Sequence, residues 1–140
     1  MRRVCFAVIC CLILLSGNAP AETKLNAANG RCAIMDVKTA LRASSAIFAG
    51  RVLSETKNGS EKTFEFRVEK YWKGVGKKKV KVSVQETARF QAWFRVGESY
   101  LVFARDGEDG RLRDYRCSAS KLLSEASKDL KALGRAKIPR

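Results

Sequence analysis

Histidine is absent from all 140 residues. Its absence removes the usual general base at neutral pH and the commonest metal ligand. Without it the familiar nucleophile–base pairs of serine and cysteine chemistry cannot be assembled. No glycine-rich phosphate loop is present, and proline occurs only twice. Long apolar runs are missing too: the longest, residues 4–15, has twelve residues, short of the about 20 that a spanning helix needs. Cysteine is scarce where a domain could form. Cys5, Cys10 and Cys11 lie inside that apolar run, which leaves only Cys32 and Cys117. Two cysteines do not make the clustered ligand set of a zinc site. The chain therefore reads as a non-enzyme, with no catalytic residue, metal or cofactor expected.

What is present begins with a leader. Met1-Arg2-Arg3 gives a positive start, residues 4–15 an apolar stretch, and Ala19 and Ala21 occupy the small-residue positions of a signal-peptidase site. Cleavage is expected after Ala21, because cleavage after Ala19 would place Pro20 next to the scissile bond. A retained anchor is the alternative. Lipidation is disfavoured, since Ile9 precedes Cys10 and Cys10 precedes Cys11. Residues 1–21 are thus expected to be a signal peptide for export to the periplasm or the extracellular space. Removing 21 of 140 residues leaves 119, enough for one domain. Export places Cys32 and Cys117 where disulfides persist. Paired, they would close 85 residues and contribute about 4–5 kcal/mol in the chain-entropy model. Free thiols or pairing between chains is the alternative.

The formal charge is +14, or +12 without Arg2 and Arg3. Such an excess favours anionic partners, among them lipid headgroups, polysaccharides, nucleic acid and acidic proteins, or serves solubility alone.

Along the chain, residues 22–31 are polar and read as a flexible lead-in. Asp36 is placed to cap a helix running to Ala43. Residues 46–53 (AIFAGRVL) are apolar on both parities, a strand buried on both faces, with Gly50 marking a bulge or bend. Asn58-Gly59 is a hairpin signal. In residues 62–72, Phe64, Phe66, Val68 and Trp72 alternate with polar positions, and Lys70 interrupts the row. Val80, Val82 and Val84 define a third strand. Residues 87–96 have no clear period but carry Phe90, Trp93 and Phe94. Residues 97–104 form a buried fourth strand, 106–110 a tight turn, and 111–116 a short fifth strand. A last helix is expected with Ser118 or Ser120 as cap, Leu122, Leu123, Ala126, Leu130 and Leu133 as its stripe, and Gly134 as its stop. Five short strands with glycine-marked bends and two flanking helices predict an all-β core: a small antiparallel barrel.

Four segments together resemble the netrin-like module, the OB-fold of tissue inhibitors of metalloproteinases. They are Cys32 followed by AIFAGRV, the strand FEFRVEKYWKG, the strand YLVFA, and DGRLRDYRCS ahead of a helix ending DLKALG. The likeness spans residues 32–134, with 135–140 as a basic tail, and is that of a bacterial exported member. It implies a five-stranded antiparallel OB-fold barrel and a bridge between Cys32 and Cys117. It also implies a protein partner, with protease inhibition as a sub-case. The departures bear on that sub-case. Ile34 stands where the second cysteine of the inhibitors' Cys-x-Cys would be, the central cysteine is missing, and after the expected cleavage ten residues, 22–31, would still precede Cys32. An amide nitrogen cannot replace a free α-amine as a zinc ligand, because its lone pair is delocalised into the peptide bond. Only a cut after Arg31 would restore the amine.

Glu65 and Glu69 flank Arg67, which reads as a solvated ladder and not as a carboxylate pair. Phe64, Phe66 and Trp72 share the apolar parity, so they belong to a core and not to a base-stacking platform; nucleic acid is disfavoured as a partner. The candidate binding patch is basic: Lys70, Lys73, Lys77, Lys78, Lys79 and Lys81 around the second hairpin. A second basic group comprises Lys121, Lys128, Lys131, Arg135, Lys137 and Arg140. Both are solvated faces in the plainest reading. The expected role is an exported binding module for another protein, with an anionic envelope polymer or membrane surface as the alternative. Asn58-Gly59-Ser60 fits a glycosylation pattern but serves the turn equally well.

Overall fold

Thr39 fixes the first helix. Its amide donates to Asp36 Oδ1 at 3.0 Å and its hydroxyl to Oδ2 at 2.6 Å, so Asp36 caps α1 (Val37–Ala43) as the sequence predicts. The computed structural model describes residues 32, 33 and 35–140; the expected signal peptide (1–21), the lead-in (22–31) and Ile34 lie outside the described residues. Six strands follow α1: β1 (Ala46–Asn58), β2 (Glu61–Lys73), β3 (Lys79–Gln85), β4 (Ser99–Asp106), β5 (Leu112–Asp114) and β6 (Lys121–Leu122). A single 3-10 turn, Leu123–Glu125, leads into α2 (Ser127–Leu133).

Strands β1 to β5 close in the order β1-β2-β3-β5-β4, with β4 pairing back onto β1; β6 adds to β4. This is an OB-fold-like barrel with two short helices. It is mixed rather than antiparallel throughout. β3 and β5 run parallel, Ser83 beside Arg113 and Val84 beside Asp114. The reason is topological: five strands in a closed ring cannot all alternate in direction, so one neighbouring pair must be parallel.

Two apolar clusters flank the barrel wall. Inside lie Phe48, Val52, Phe64, Phe66, Val68, Val82, Val84, Phe94, Tyr100 and Val102. Outside, beneath the helices, Ile47, Leu101 and Phe103 pack with Ala40 and Ala126. β1 feeds both, which accounts for its apolar residues on both parities. Its partner β2 carries two extra residues. Ala49 faces Lys70 and Gly50 faces Val68, leaving Glu69 unpaired; Ile47 faces Lys73 and Phe48 faces Tyr71, leaving Trp72 unpaired. Each such bulge reverses the facing parity. Tyr71 therefore packs on the barrel core, and Trp72 joins the outer cluster instead of the Phe64 row. Its indole donates to the Gly134 carbonyl at 3.0 Å. Gly50 permits the close approach: a Cβ there would stand 2.6 Å from the Arg67 carbonyl oxygen.

The last helix begins later than the sequence pattern indicates. Residues 121–122 occupy a free edge of β4 opposite Tyr100 and Leu101. The Ser120 hydroxyl accepts the Phe103 amide at 2.8 Å, so it serves this strand and not a helix end. Ala126 holds the N-cap position, and Gly134, at φ 72°, ends the helix as expected. The basic residues 135–140 are not a loose appendage. Lys137 and Tyr71 exchange two backbone hydrogen bonds at 2.8 and 2.9 Å, and the Arg140 amide donates to the Gly76 carbonyl. Cys32 and Cys117 are joined, with Cα atoms 5.2 Å apart, so the start of the domain is tied to the loop between β5 and β6.

Candidate functional site

The outward side chains of β1, β2 and β3 alternate with the barrel core, and here they are short. Ser54 and Thr56 on β1, Thr63 on β2 and Ser83 on β3 leave a groove of about 700 Å³, which Glu61, Glu65 and Lys81 edge. Thr63 and Ser83 share a hydrogen bond of 3.0 Å across the strands. Gly110, Arg111 and Leu112, at the end of the β4–β5 turn, form the far wall.

That turn is held by charge. Asp109 accepts from the Arg111 guanidinium at 2.6 Å and from Arg113 at 3.0 Å. Arg113 and Arg111 also reach Glu61 at 3.3 and 3.4 Å. The Arg113 hydrogen bond, then the Arg111 amide, hold the Asp109 carboxyl down to about 2, and Asp109 in turn pushes the Arg113 guanidinium up. Glu61 thus ties the hairpin end of β2 to the β4–β5 turn.

The opposite side of the same hairpin carries a second ion cluster. Glu86, nearly buried, accepts the Ala92 amide at 2.9 Å and lies 3.5 and 3.6 Å from Lys57 and Lys62. Lys62 also meets Glu55 at 2.9 Å. The Ala92 hydrogen bond first, and the two lysines after it, lower the Glu86 carboxyl. Asp114 lies deeper. It is 3% exposed, its Oδ1 accepts the Tyr115 amide at 2.9 Å, and its Oδ2 has no hydrogen-bond partner among the described residues. Burial pushes this carboxyl up to about 6, against the hydrogen bonds of Ser118, Tyr115 and Ser120.

The six lysines of the candidate basic patch do not form one surface. Lys73 donates to the Leu41 carbonyl at 3.0 Å and serves the end of α1. Lys81 belongs to the groove, opposite Glu65 in register. Lys70 faces the space beside α2 with Trp72 and Leu130. Lys78 and Lys79 stay together, and Lys77 is exposed beside them. The pairing of 137 with Tyr71 brings the tail's Lys137 and Arg140 to this last group. Bulging also separates Glu69 from Glu65: Glu65 lines the groove, Glu69 does not. In sequence, the groove's only trace was short hydroxyl side chains at the polar positions of β2 and β3; nothing local signals that they face the β4–β5 turn.

Comparison with models of known protein families and with curated proteins returns no match. No group of three or more metal-ligating side chains occurs among the described residues, and none of their helices is long and apolar enough to cross a membrane.

Proposed function

We propose that this chain is an exported, non-catalytic binding module of the netrin-like kind that holds a polypeptide segment of another protein in the groove over β1, β2 and β3. The observation that carries this reading is the groove's lining. Its charges balance, Glu61 and Glu65 against Lys81 and Arg111, and no aromatic ring lines it. A single-stranded nucleic acid would need net positive charge and stacking faces. Hydroxyl groups and balanced ions on adjacent strands instead offer the donors and acceptors that peptide groups require. The faces of β2 and β3 with the neighbouring turns are also where OB-folds take ligands. The ion network of Glu61, Asp109, Arg111 and Arg113 preorganises the groove, which lowers the ordering cost of binding.

The leader, the joined cysteines and the closed barrel support the exported, netrin-like part of the reading. Protease inhibition is the sub-case in which the partner is a protease. The test is site-specific photo-crosslinking in the exported fraction from Thr56 and Glu65, with exposed Lys128 on α2 as the control position. The two groove positions are expected to give one discrete protein adduct that Lys128 does not give. Equal adducts from all three positions, or adducts digested by nuclease or glycosidase and not by protease, would refute the groove as a protein site.

A further inference from the structure

We infer that the end of the barrel formed by the β2–β3 turn and the C-terminal tail is a docking surface for an anionic phospholipid membrane. This surface is separate from the groove and does not depend on what the groove binds. Ile138 is 67% exposed, the highest value among the exposed large apolar side chains of the described residues. It is not on a free end: the backbone hydrogen bonds of Lys137 with Tyr71 and of Arg140 with Gly76 fix the tail on both sides of it. Beside it runs a mainly apolar groove of about 340 Å³, lined by Val68, Ile138 and Pro139 and edged by Arg67, Lys78 and Lys79.

Exposed Lys77, Lys137 and Arg140 adjoin these residues in the chain, and Glu69 is the acid in the groove lining. None of Arg67, Lys77, Lys78, Lys79, Lys137 or Arg140 takes part in an ion pair among the described residues. Glu61 and Arg111 of the first groove, by contrast, are already paired with one another. Three unpaired cations edging one presented aliphatic side chain, with three more exposed next to them in the chain, suit a fluid sheet of phosphates better than a protein. Mobile headgroups can meet each cation without a fixed register of carboxylates. The lysine stems lie along the apolar boundary while their heads stay at the phosphates, and Ile138 enters the acyl edge.

The test uses the oxidised mature protein and sedimentation with vesicles of phosphatidylglycerol and phosphatidylcholine, against phosphatidylcholine alone. Binding is expected only with the anionic lipid, and it should weaken steeply with salt. Each cation near an anionic surface is worth about a fivefold change in affinity, so K78A/K79A should weaken binding about thirtyfold. Ile138→Ser should weaken it about tenfold or more, with an unchanged thermal midpoint because the side chain is exposed. A parallel measurement on immobilised polyglutamate separates the alternative partner. Ile138→Ser, which leaves the charge of the surface as it is, is expected to leave polyglutamate binding unchanged. The inference is overturned by absence of vesicle binding at low salt. It is equally overturned by vesicle binding that ignores Ile138→Ser, or by polyglutamate binding as tight as vesicle binding and equally sensitive to that substitution. The crosslinks from Thr56 and Glu65 are unaffected by any of these results.

Discussion

Asp114 shows at the scale of one residue how this barrel balances burial against charge. It lies on β5 at the parallel seam, beside Val84, and Oδ2 makes no hydrogen bond among the described residues. Desolvation raises its carboxyl to about 6 from an ordinary 3.8. The sign of its pH effect follows from proton counting. Between about 4 and 6 the folded protein holds a proton here that the unfolded chain has released, so stability falls as pH rises. Below about 4 both forms are neutral, and above about 6 the full cost is present, on the order of 3 kcal/mol. Asp114→Asn keeps an acceptor for the Tyr115 amide and removes the charge. Urea denaturation at pH 4 and pH 7 should show the natural chain losing stability across this interval while the variant loses far less. Parallel pH profiles for the two proteins would show that Asp114 ionises without cost in the fold.

At the scale of elements, residues 86–98 are the instructive segment. They contain no strand or helix, yet they deliver Phe94 to the middle of the barrel core. Its ring meets Phe64 at 5.4 Å, Phe66 at 5.2 Å and Tyr100 at 4.9 Å, each edge to face, and stacks on Trp93 at 4.7 Å. The Tyr100 hydroxyl accepts the Arg95 amide and so fixes the segment that carries the ring. Phe94→Ala should therefore cost about 3–5 kcal/mol by denaturant unfolding, whereas Val96→Ala, at 56% exposure, should stay within about 0.5 kcal/mol. Similar costs for both would show that the ring does not organise the core.

The same segment shows where sequence reasoning stops. Phe64, Phe66 and Val68 were legible because strand period is a local property. Trp72 was not, because the bulge at Glu69 shifts its parity, and bulges depend on which partner strand lies alongside. Phe94 was visible only as aromatic bulk in a segment without period. Asp36, Asn58-Gly59 and Gly134 were legible because caps and turns are set by one or two side chains. The groove and the surface around Ile138 were not. One needs Arg111 brought to Glu61, the other Lys137 brought to Tyr71, and contacts between residues that far apart leave no local pattern.

At the scale of the whole molecule, the Cys32–Cys117 bond constrains what the strands alone leave free. Closure of the barrel uses β4 against β1 and β5 against β3, but β5 has three residues and pairs only two of them with β3. The bond anchors the loop just after this short strand to the chain just before α1. Lys73 then ties α1 to the end of β2 through the Leu41 carbonyl. The short strand β5 is thus tethered, through the loop that follows it, to the chain before α1. In the chain-entropy model a closed loop of 85 residues contributes about 4–5 kcal/mol, and it does so by restricting the unfolded chain. Two consequences should appear together on reduction or in the Cys32→Ser/Cys117→Ser double variant. The denaturation midpoint should fall, and the denaturant dependence should steepen, because an unstrapped chain exposes more surface on unfolding. A lower midpoint with an unchanged slope would place the effect in the folded state. An unchanged midpoint would mean that the barrel's strand pairing alone determines its stability.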